Sequence, residues 1–216
     1  MENKKILLLL GGTWHDFVGY NQAMQELLPP LGWTVEPTYD MQRLLSLKED
    51  GVGLVISYTC LGKHREGYDD HGPEGLTGEQ VATLEAWVQA GGGLLTVHSG
   101  TVLGESAPGL ERLFGGRFIE HPPQFTFTVY PVANPHPITK GVEAFSIRDE
   151  FYMEVCQPGV DVHLVAIDRG QAYPMAWSKT EGKGKVAHLA PGHTPSVWAL
   201  PAFQKLLVQS IDWIKS

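Results

Sequence analysis

The 216-residue chain lacks several features that mark large functional classes. It has only two cysteines, Cys60 and Cys156, which lie too far apart for a cysteine metal cluster; a structural disulfide is not expected in an intracellular protein. Lys and Arg total 16 against 24 Asp and Glu, which leaves a net charge of −8. Such a surface does not attract nucleic acid or anionic lipid, so we expect neither as a partner.

Long apolar runs are also missing from the chain. No run approaches the roughly 20 residues of a transmembrane helix, and the apolar stretch at 6–10 is too short for a signal peptide. We therefore expect a cytoplasmic protein that does not bind membranes. The length and the 43% of hydrophobic residues predict a single globular domain over residues 1–216. The sequence leaves the oligomeric state open, and a homo-oligomer is compatible with it.

Apolar runs alternate with helical stretches in the first half of the chain. Strands are predicted at 6–10, 33–37, 52–57 and 94–97, with helices at 20–28 and after Thr77, which forms a capping box with Gln80. This βαβ pattern predicts an α/β fold with a mostly parallel sheet. The second half is rich in strands and predicts an antiparallel extension of that sheet, followed by a last helix over about 196–214.

The most informative stretch is the strand that ends at His98. Three glycines at 91–93 precede the apolar run 94–97, and Ser99 and Gly100 follow. A strand that turns sharply at its carboxyl end presents one side chain where ligands bind in open α/β folds. Other proteins place a Ser or Cys nucleophile at such a turn, but the Gly-x-Ser-x-Gly motif is absent because Val97 occupies its first glycine position. His98 is therefore favoured as a site residue.

The chain has nine histidines, so histidine is the residue type from which a functional site is first considered. His15, His98 and His193 each follow a predicted strand or turn end, and with His121 and Glu150 they would share one pocket if these ends converge. Imidazoles with a carboxylate can bind a divalent metal such as zinc, or can act as a general acid/base pair. Neither His-Glu-x-x-His nor His-x-His is present, so local spacing does not decide between these two interpretations.

Several residues of the same types have simpler explanations. Structural or solvent-exposed roles are predicted for these: His163 and His188 inside strands, His136 in a solvated turn, His64 and His71 in the polar loop 58–76, Cys60 as a buried filler, and, as an alternative to a site role, Asp16 as a helix cap.

A set of segments in a fixed order carries a family resemblance. These segments are 92–98, 115–118 with His121-Pro122, 136–141, 149–152, 174–177, and 182–186 leading to Gly192-His193. The chain resembles ThuA-like (trehalose utilisation) proteins of the class I glutamine amidotransferase-like superfamily, from about residue 5 to residue 215. The resemblance implies a flavodoxin-like, doubly wound fold with helices on both faces. It also implies a role in sugar catabolism, on trehalose-type disaccharides or their oxidised (keto) derivatives.

The strand-end turn departs from the one found in true amidotransferases. Their turn carries a nucleophilic cysteine, whereas this chain has His98, as is usual in ThuA-like proteins. Imidazole lacks the nucleophilicity of a thiolate and its stable acyl intermediate, so we expect no glutaminase or amidotransferase activity.

The leading hypothesis is a carbohydrate-processing enzyme. His98, His193 and Glu150 are its predicted catalytic groups, and His98, His121 and His193 are its predicted ligands if a metal is bound. The side chains predicted to bind a sugar substrate are Trp14, His15, Asp16, His121, Tyr152 and Trp177. The alternative is a sugar-binding or regulatory module that kept the fold without catalysis. The exact substrate and the reaction type stay open.

Overall fold

The computed structural model describes residues 4–106 and 109–216. Within these ranges the helices are α1 (Phe17–Leu27), α2 (Gly78–Gln89), α3 (Gly109–Phe114), α4 (Pro195–Trp198) and α5 (Pro201–Lys215). The strands are β1 (Lys5–Gly12), β2 (Thr34–Thr38), β3 (Leu54–Leu61), β4 (Gly93–Val97), β5 (Val102–Leu103), β6 (Gly116–Glu120), β7 (Phe125–Pro131), β8 (Phe145–Asp149), β9 (Met153–Cys156), β10 (Asp161–Asp168), β11 (Gln171–Glu181) and β12 (Gly184–Leu189).

A ten-stranded mixed sheet forms the centre of the molecule. Its order is β2-β1-β3-β4-β12-β11-β10-β7-β8, with β5 paired to β3, while β6 and β9 form a separate two-stranded sheet. The strands from β2 to β12 pair in parallel, and those from β12 to β8 pair in antiparallel fashion. The predicted α/β fold, a mostly parallel sheet with an antiparallel extension, is confirmed.

Alternating side chains of β1 feed two separate cores. Ile6, Leu8 and Leu10 pack in a core that also contains residues of α1, α4 and α5. Leu7 and Leu9 point to the opposite face, where α2 and α3 cover the sheet. Because successive strand residues point to opposite faces, a continuous apolar run is what a strand covered on both sides requires. Among the described residues, no helix is long and apolar enough to cross a membrane.

The direction of the strands decides where the polar side chains meet. β1, β3, β4 and β12 run in parallel, so the residues after them leave the sheet at one edge. Four successive antiparallel pairings separate β12 from β8 and leave β8 running in the same direction as β12. Glu150, directly after β8, therefore emerges at the same edge as His98 and His193.

The last predicted helix is two helices in the structure. The chain is helical over Pro195–Trp198, leaves the helical conformation at Leu200 and resumes a helix at Pro201. The ring of Pro201 disfavours a helical conformation for the residue before it, and Leu200 adopts φ −71° and ψ 126°. The prediction of one continuous helix over 196–214 missed this break.

The histidines assigned to structural roles lie where they were expected, with one difference. His163 and His188 are buried inside strands, while His64 and His71 are exposed. Cys60 is a buried free thiol that accepts a hydrogen bond from the Thr13 hydroxyl. His136 differs from the prediction of a solvated turn residue, because it is half-buried and its ring stacks on His163 with centroids 3.9 Å apart.

Buried His163 makes folding sensitive to acid. Burial, and then the nearby His136, lowers the pKa of His163 from 6.5 to about 4. The unfolded chain takes up this proton first as the pH falls, so the stability that neutral His163 contributes is lost between pH 6.5 and 4. We expect the free energy of unfolding to fall by up to about 3 kcal/mol over this window. Urea titrations at several pH values measure this effect. The free energy of unfolding of a His163→Gln variant should depend less on pH than that of the wild type, and the same pH dependence in both proteins would contradict this account.

Candidate functional site

His98 occupies a strained position at the end of β4. It is the first residue of a short 3₁₀ turn, His98–Thr101, its φ is +48°, and its side chain is completely buried. A left-handed conformation in a residue other than glycine costs on the order of 1–3 kcal/mol and persists only where the surroundings enforce it. One such restraint is the hydrogen bond between His98 Nδ1 and the Ala190 carbonyl oxygen, at 2.8 Å. Since a carbonyl only accepts, Nδ1 carries the proton and Nε2 of the neutral ring carries a lone pair.

Two further potential ligand atoms lie close to His98 Nε2. His98 Nε2 lies 3.3 Å from Glu150 Oε2, and His193 Nδ1 lies 3.1 Å from the same oxygen. The two ring nitrogens are 3.3 Å apart, which closes a triangle. The predicted catalytic residues His98, His193 and Glu150 are thus brought into direct contact.

Glu150 and His193 shift each other's pKa. Burial opposes ionisation of Glu150, but its contacts with the His193 and His98 rings outweigh it and lower the pKa of Glu150 far below its usual range. Burial likewise opposes protonation of His193, but the hydrogen bond and negative charge of Glu150 prevail and raise the pKa of His193. The site is therefore built around an ionised carboxylate that favours positive charge beside it.

The triangle also has the geometry and the donor atoms that a metal site requires. Because Nδ1 of His98 already donates to Ala190, Nε2 can donate to Glu150 only if His98 is an imidazolium. A proton shared by two of the three atoms also leaves the third atom without a hydrogen bond inside the triangle. Ligands about 2.0–2.1 Å from a tetrahedral zinc ion lie roughly 3.3 Å from one another, close to all three observed distances. The donor set of two imidazoles and a carboxylate is also one that zinc favours.

His15, which follows β1, adds a fourth group to the cluster. Ligand atoms of His15, His98, Glu150 and His193 all lie within 4.8 Å of one another. His15 Nδ1 is 2.9 Å from the Thr13 carbonyl oxygen, so its proton is there and Nε2 has a lone pair, to which the Tyr152 hydroxyl donates at 3.4 Å. Burial, and then the proximity of the His98 ring, lowers the pKa of His15 to about 3, which keeps this ring neutral.

The turn that carries His193 is held on both sides of Gly192. Asp149, fully buried, accepts hydrogen bonds from the amides of Gly192 and His193 at 2.8 and 3.2 Å. The Tyr58 hydroxyl and the Trp198 indole both donate to the Gly192 carbonyl. Burial raises the pKa of Asp149, against the influence of His98. These three residues were not predicted as part of the site, and they fix the backbone that carries His193.

Glycine is required at position 192 by space as well as by conformation. Its φ is +146°, and a β-carbon built there would lie 3.2 Å from the β-carbon of His98. A glycine before His193 was predicted to let the backbone approach a ligand closely. The groups that approach Gly192 in the structure are the side chains of His98 and Val97.

A cleft of about 540 Å³ opens beside the cluster. Its walls include Trp14, Cys60, Phe118, His121 and Tyr152 as well as His15, Glu150 and His193. The Tyr152 ring stacks on His98 with centroids 4.0 Å apart. His121 stands at the rim, with Nε2 3.7 Å from Glu150 Oε2. The volume is in the range of small-molecule sites, and the cluster forms the polar end of the cleft.

Comparison with known proteins identifies the family. The sequence profile of the trehalose utilisation family, ThuA, matches residues 6–214. The chain belongs to the ThuA family. No curated protein matches its sequence.

Solved structures with the same fold include other ThuA-like proteins. A ThuA-like protein from Parabacteroides merdae superposes with a TM-score of 0.79 at 18% identity, over 98% of this chain and 90% of that one. A cytoplasmic protein from Salmonella typhimurium gives 0.67 at 15% identity, over 97% and 98% of the two chains. A β-galactosidase from Rahnella gives 0.63 at 16% identity, but only 31% of that chain is covered. At these identities the likeness establishes the fold alone.

Three residues of this ThuA-family chain differ from at least one of their predicted roles. Trp177 is buried in the middle of β11, where its indole donates to the Phe114 carbonyl and packs on His188, so it does not line the cleft. Asp16 caps α1 by accepting from the Gly19 amide and is not a cleft residue. His121 lies outside the close group of ligand atoms that includes His98 and His193, and Glu150 and His15 stand there instead.

A buried polar network supports the His98 turn from below. The Thr101 hydroxyl lies 3.1 Å from the His98 carbonyl and 2.5 Å from Glu154 Oε1. Glu154 Oε2 contacts His188 Nε2 at 3.0 Å, and His188 Nδ1 contacts the Thr96 hydroxyl at 2.8 Å. His188 therefore has the structural role expected of it. Glu154 was not anticipated, because its sequence neighbours give no sign that its carboxylate is buried.

Proposed function

We propose that this ThuA-family protein is an enzyme of sugar catabolism that acts on a trehalose-type disaccharide or an oxidised (keto) sugar derivative. The observation that carries the proposal is the triangle of His98 Nε2, His193 Nδ1 and Glu150 Oε2 at the end of an aromatic-walled cleft. The exposed Trp14 ring suits the apolar C–H face of a sugar ring, while the cluster supplies reactive polar groups. The family's association with trehalose utilisation supports the same substrate class.

We further propose that the triangle holds one divalent cation, with zinc as the best match to its donor atoms. His98, His193 and Glu150 would be its ligands, and His15 Nε2 is the nearest further donor of the cluster. Such a cation polarises a sugar carbonyl or lowers the pKa of bound water. His121, at the rim near Glu150, is placed to exchange a proton with a sugar hydroxyl.

The proposal excludes glutamine hydrolysis. The turn that would present a cysteine thiolate presents the His98 ring, whose Nδ1 is bound to Ala190 and whose Nε2 faces Glu150. No thiolate is available there to form an acyl intermediate, and the nearby Cys60 is buried with its pKa raised by burial. We expect no ammonia release when the purified protein is incubated with glutamine.

A turnover assay with keto-disaccharides, with and without a strong chelator, tests the enzymatic function. We expect turnover that the chelator abolishes and zinc restores. Turnover that survives complete metal removal would favour a metal-free acid/base pair of histidine and Glu150. Binding of sugars in a thermal-shift screen, without turnover of any of them, would contradict the enzyme and favour a sugar-binding module.

A further inference from the structure

The Tyr152 ring is fixed among other rings in the wall of the cleft. It stacks on His98 with centroids 4.0 Å apart and on His121 with centroids 5.6 Å apart, and Phe118 packs against it at 4.4 Å. Only 2% of Tyr152 is exposed, so its ring has little surface left for a ligand. Because the ring cannot move freely, the position of its hydroxyl group is fixed as well.

The Tyr152 hydroxyl is directed at the lone pair of His15. It lies 3.4 Å from His15 Nε2. The other ring nitrogen, Nδ1, lies 2.9 Å from the Thr13 carbonyl oxygen and therefore carries the proton. Both nitrogens of His15 thus have a partner, and these two hydrogen bonds hold the ring from two sides.

In this position His15 stands outside the triangle of His98, His193 and Glu150. The three atoms of the triangle are 3.1 to 3.3 Å apart, whereas separations in the group that includes His15 reach 4.8 Å. Two atoms that both lie about 2.1 Å from one ion cannot be more than about 4.2 Å apart. His15 can therefore join the other three as a ligand only if its ring moves toward them.

The number of protein ligands decides what a zinc site can do. Four protein ligands are typical of structural sites, whereas three leave a fourth position for water or substrate in catalytic sites. A neutral imidazole as close as His15 would complete a closed set of four. The hydrogen bond from Tyr152 occupies the lone pair that His15 would need for this.

We propose that Tyr152 is a positioning residue whose hydroxyl holds His15 away from the metal and keeps the fourth coordination position open to a substrate oxygen. The inference rests on the cation proposed above for His98, His193 and Glu150. Tyr152 and His15 line the cleft together with Glu150 and His193, so a substrate in the cleft can reach the open position.

The zinc affinity of full-length variants, measured by competition with a chromophoric chelator, tests this role. Tyr152→Phe keeps the ring and its stacking contacts but loses the hydroxyl, so His15 is released to bind the metal. We expect its zinc affinity to rise roughly ten-fold, at the lower end of the effects that groups bonded to metal-site histidines have on affinity. His15→Ala should bind zinc as the wild type does, because His15 is not a ligand. The double variant should also return to wild-type affinity.

A matched control and a second readout make the test specific. Tyr130→Phe removes the hydroxyl of an exposed tyrosine on β7 and should leave zinc affinity unchanged. Azide should shift the absorption spectrum of the cobalt-substituted wild type, since it enters the open position as a ligand. It should have little effect on cobalt-substituted Tyr152→Phe, in which His15 fills that position. An equal shift in both proteins would overturn the inference.

The outcomes separate this role from the proposed function. Unchanged zinc affinity in Tyr152→Phe, or a large loss of zinc affinity in His15→Ala, would overturn the role of Tyr152 and leave the metal triangle in place. A wild-type protein that binds no divalent metal would overturn both. Tighter zinc binding by Tyr152→Phe, in a protein that turns over no keto-disaccharide, would support the role of Tyr152 and contradict the enzymatic function alone.

Discussion

Replacement of His98 by alanine is expected to reduce turnover of a keto-disaccharide by at least about 10³-fold. The ring supplies one corner of the triangle with Glu150 and His193, and its loss would remove a cation worth several kcal/mol of transition-state stabilisation. The fold should survive, because β4 and its neighbours keep their apolar cores. Steady-state kinetics, together with circular dichroism to verify folding, measure this effect.

The matched control for this variant is His64→Ala. His64 is an exposed histidine of the loop after β3 and makes no contact with the cluster. We expect turnover within about two-fold of the wild-type value for this surface change. His121→Ala separates the two proposed roles, since it should lower turnover while leaving any bound metal in place. A folded His98→Ala variant with wild-type turnover would remove His98 from the mechanism.

Replacement of Asp149 by alanine is expected to lower the free energy of unfolding by about 3 kcal/mol. Two buried amides, those of Gly192 and His193, would lose their acceptor, and each unsatisfied donor costs about 1–3 kcal/mol. The turn that carries His193 would also lose its hydrogen bonds to Asp149 and keep only those from Tyr58 and Trp198. Turnover should therefore fall along with stability. Urea denaturation of the purified variants measures the first effect.

Graded variants make the Asp149 prediction specific. Asp149→Asn keeps one acceptor oxygen, which at the position of Oδ2 lies 2.8 Å from the Gly192 amide and 3.4 Å from the His193 amide, so its loss of stability should be intermediate. Asp69→Ala removes a carboxylate from an exposed side chain and should change stability by less than about 0.5 kcal/mol. An Asp149→Ala variant as stable as Asp69→Ala would show that the buried carboxylate does not anchor the turn.

Much of the sheet and part of the site could be predicted from residue patterns. The apolar runs of β1, β3 and β4 are continuous because helices cover both faces of these strands, which is why the pattern identifies them. Parallel strands end at one edge, so the positions of His15, His98 and His193 after strand or turn ends predicted that they share one pocket if these ends converge, which they do.

Other parts of the site depend on contacts that sequence patterns do not contain. Asp149 and Glu150 are adjacent in the chain, yet one carboxylate anchors a backbone turn and the other faces two imidazoles. Only the pairing of β8 with β7, which sets the direction of β8, decides which carboxylate anchors the turn and which faces the imidazoles. Trp177 shows the opposite error, since its aromatic ring was predicted to bind sugar, but β11 buries it mid-strand against His188.

The metal content of the purified protein tests the central claim most directly. Elemental analysis by mass spectrometry should find about one zinc ion per chain in the wild type, a loss of most of it in His98→Ala and Glu150→Ala, and full occupancy in His64→Ala. Such a result would establish that His98 and Glu150 belong to a metal centre. A wild-type protein that is free of divalent metal and fully active would contradict it.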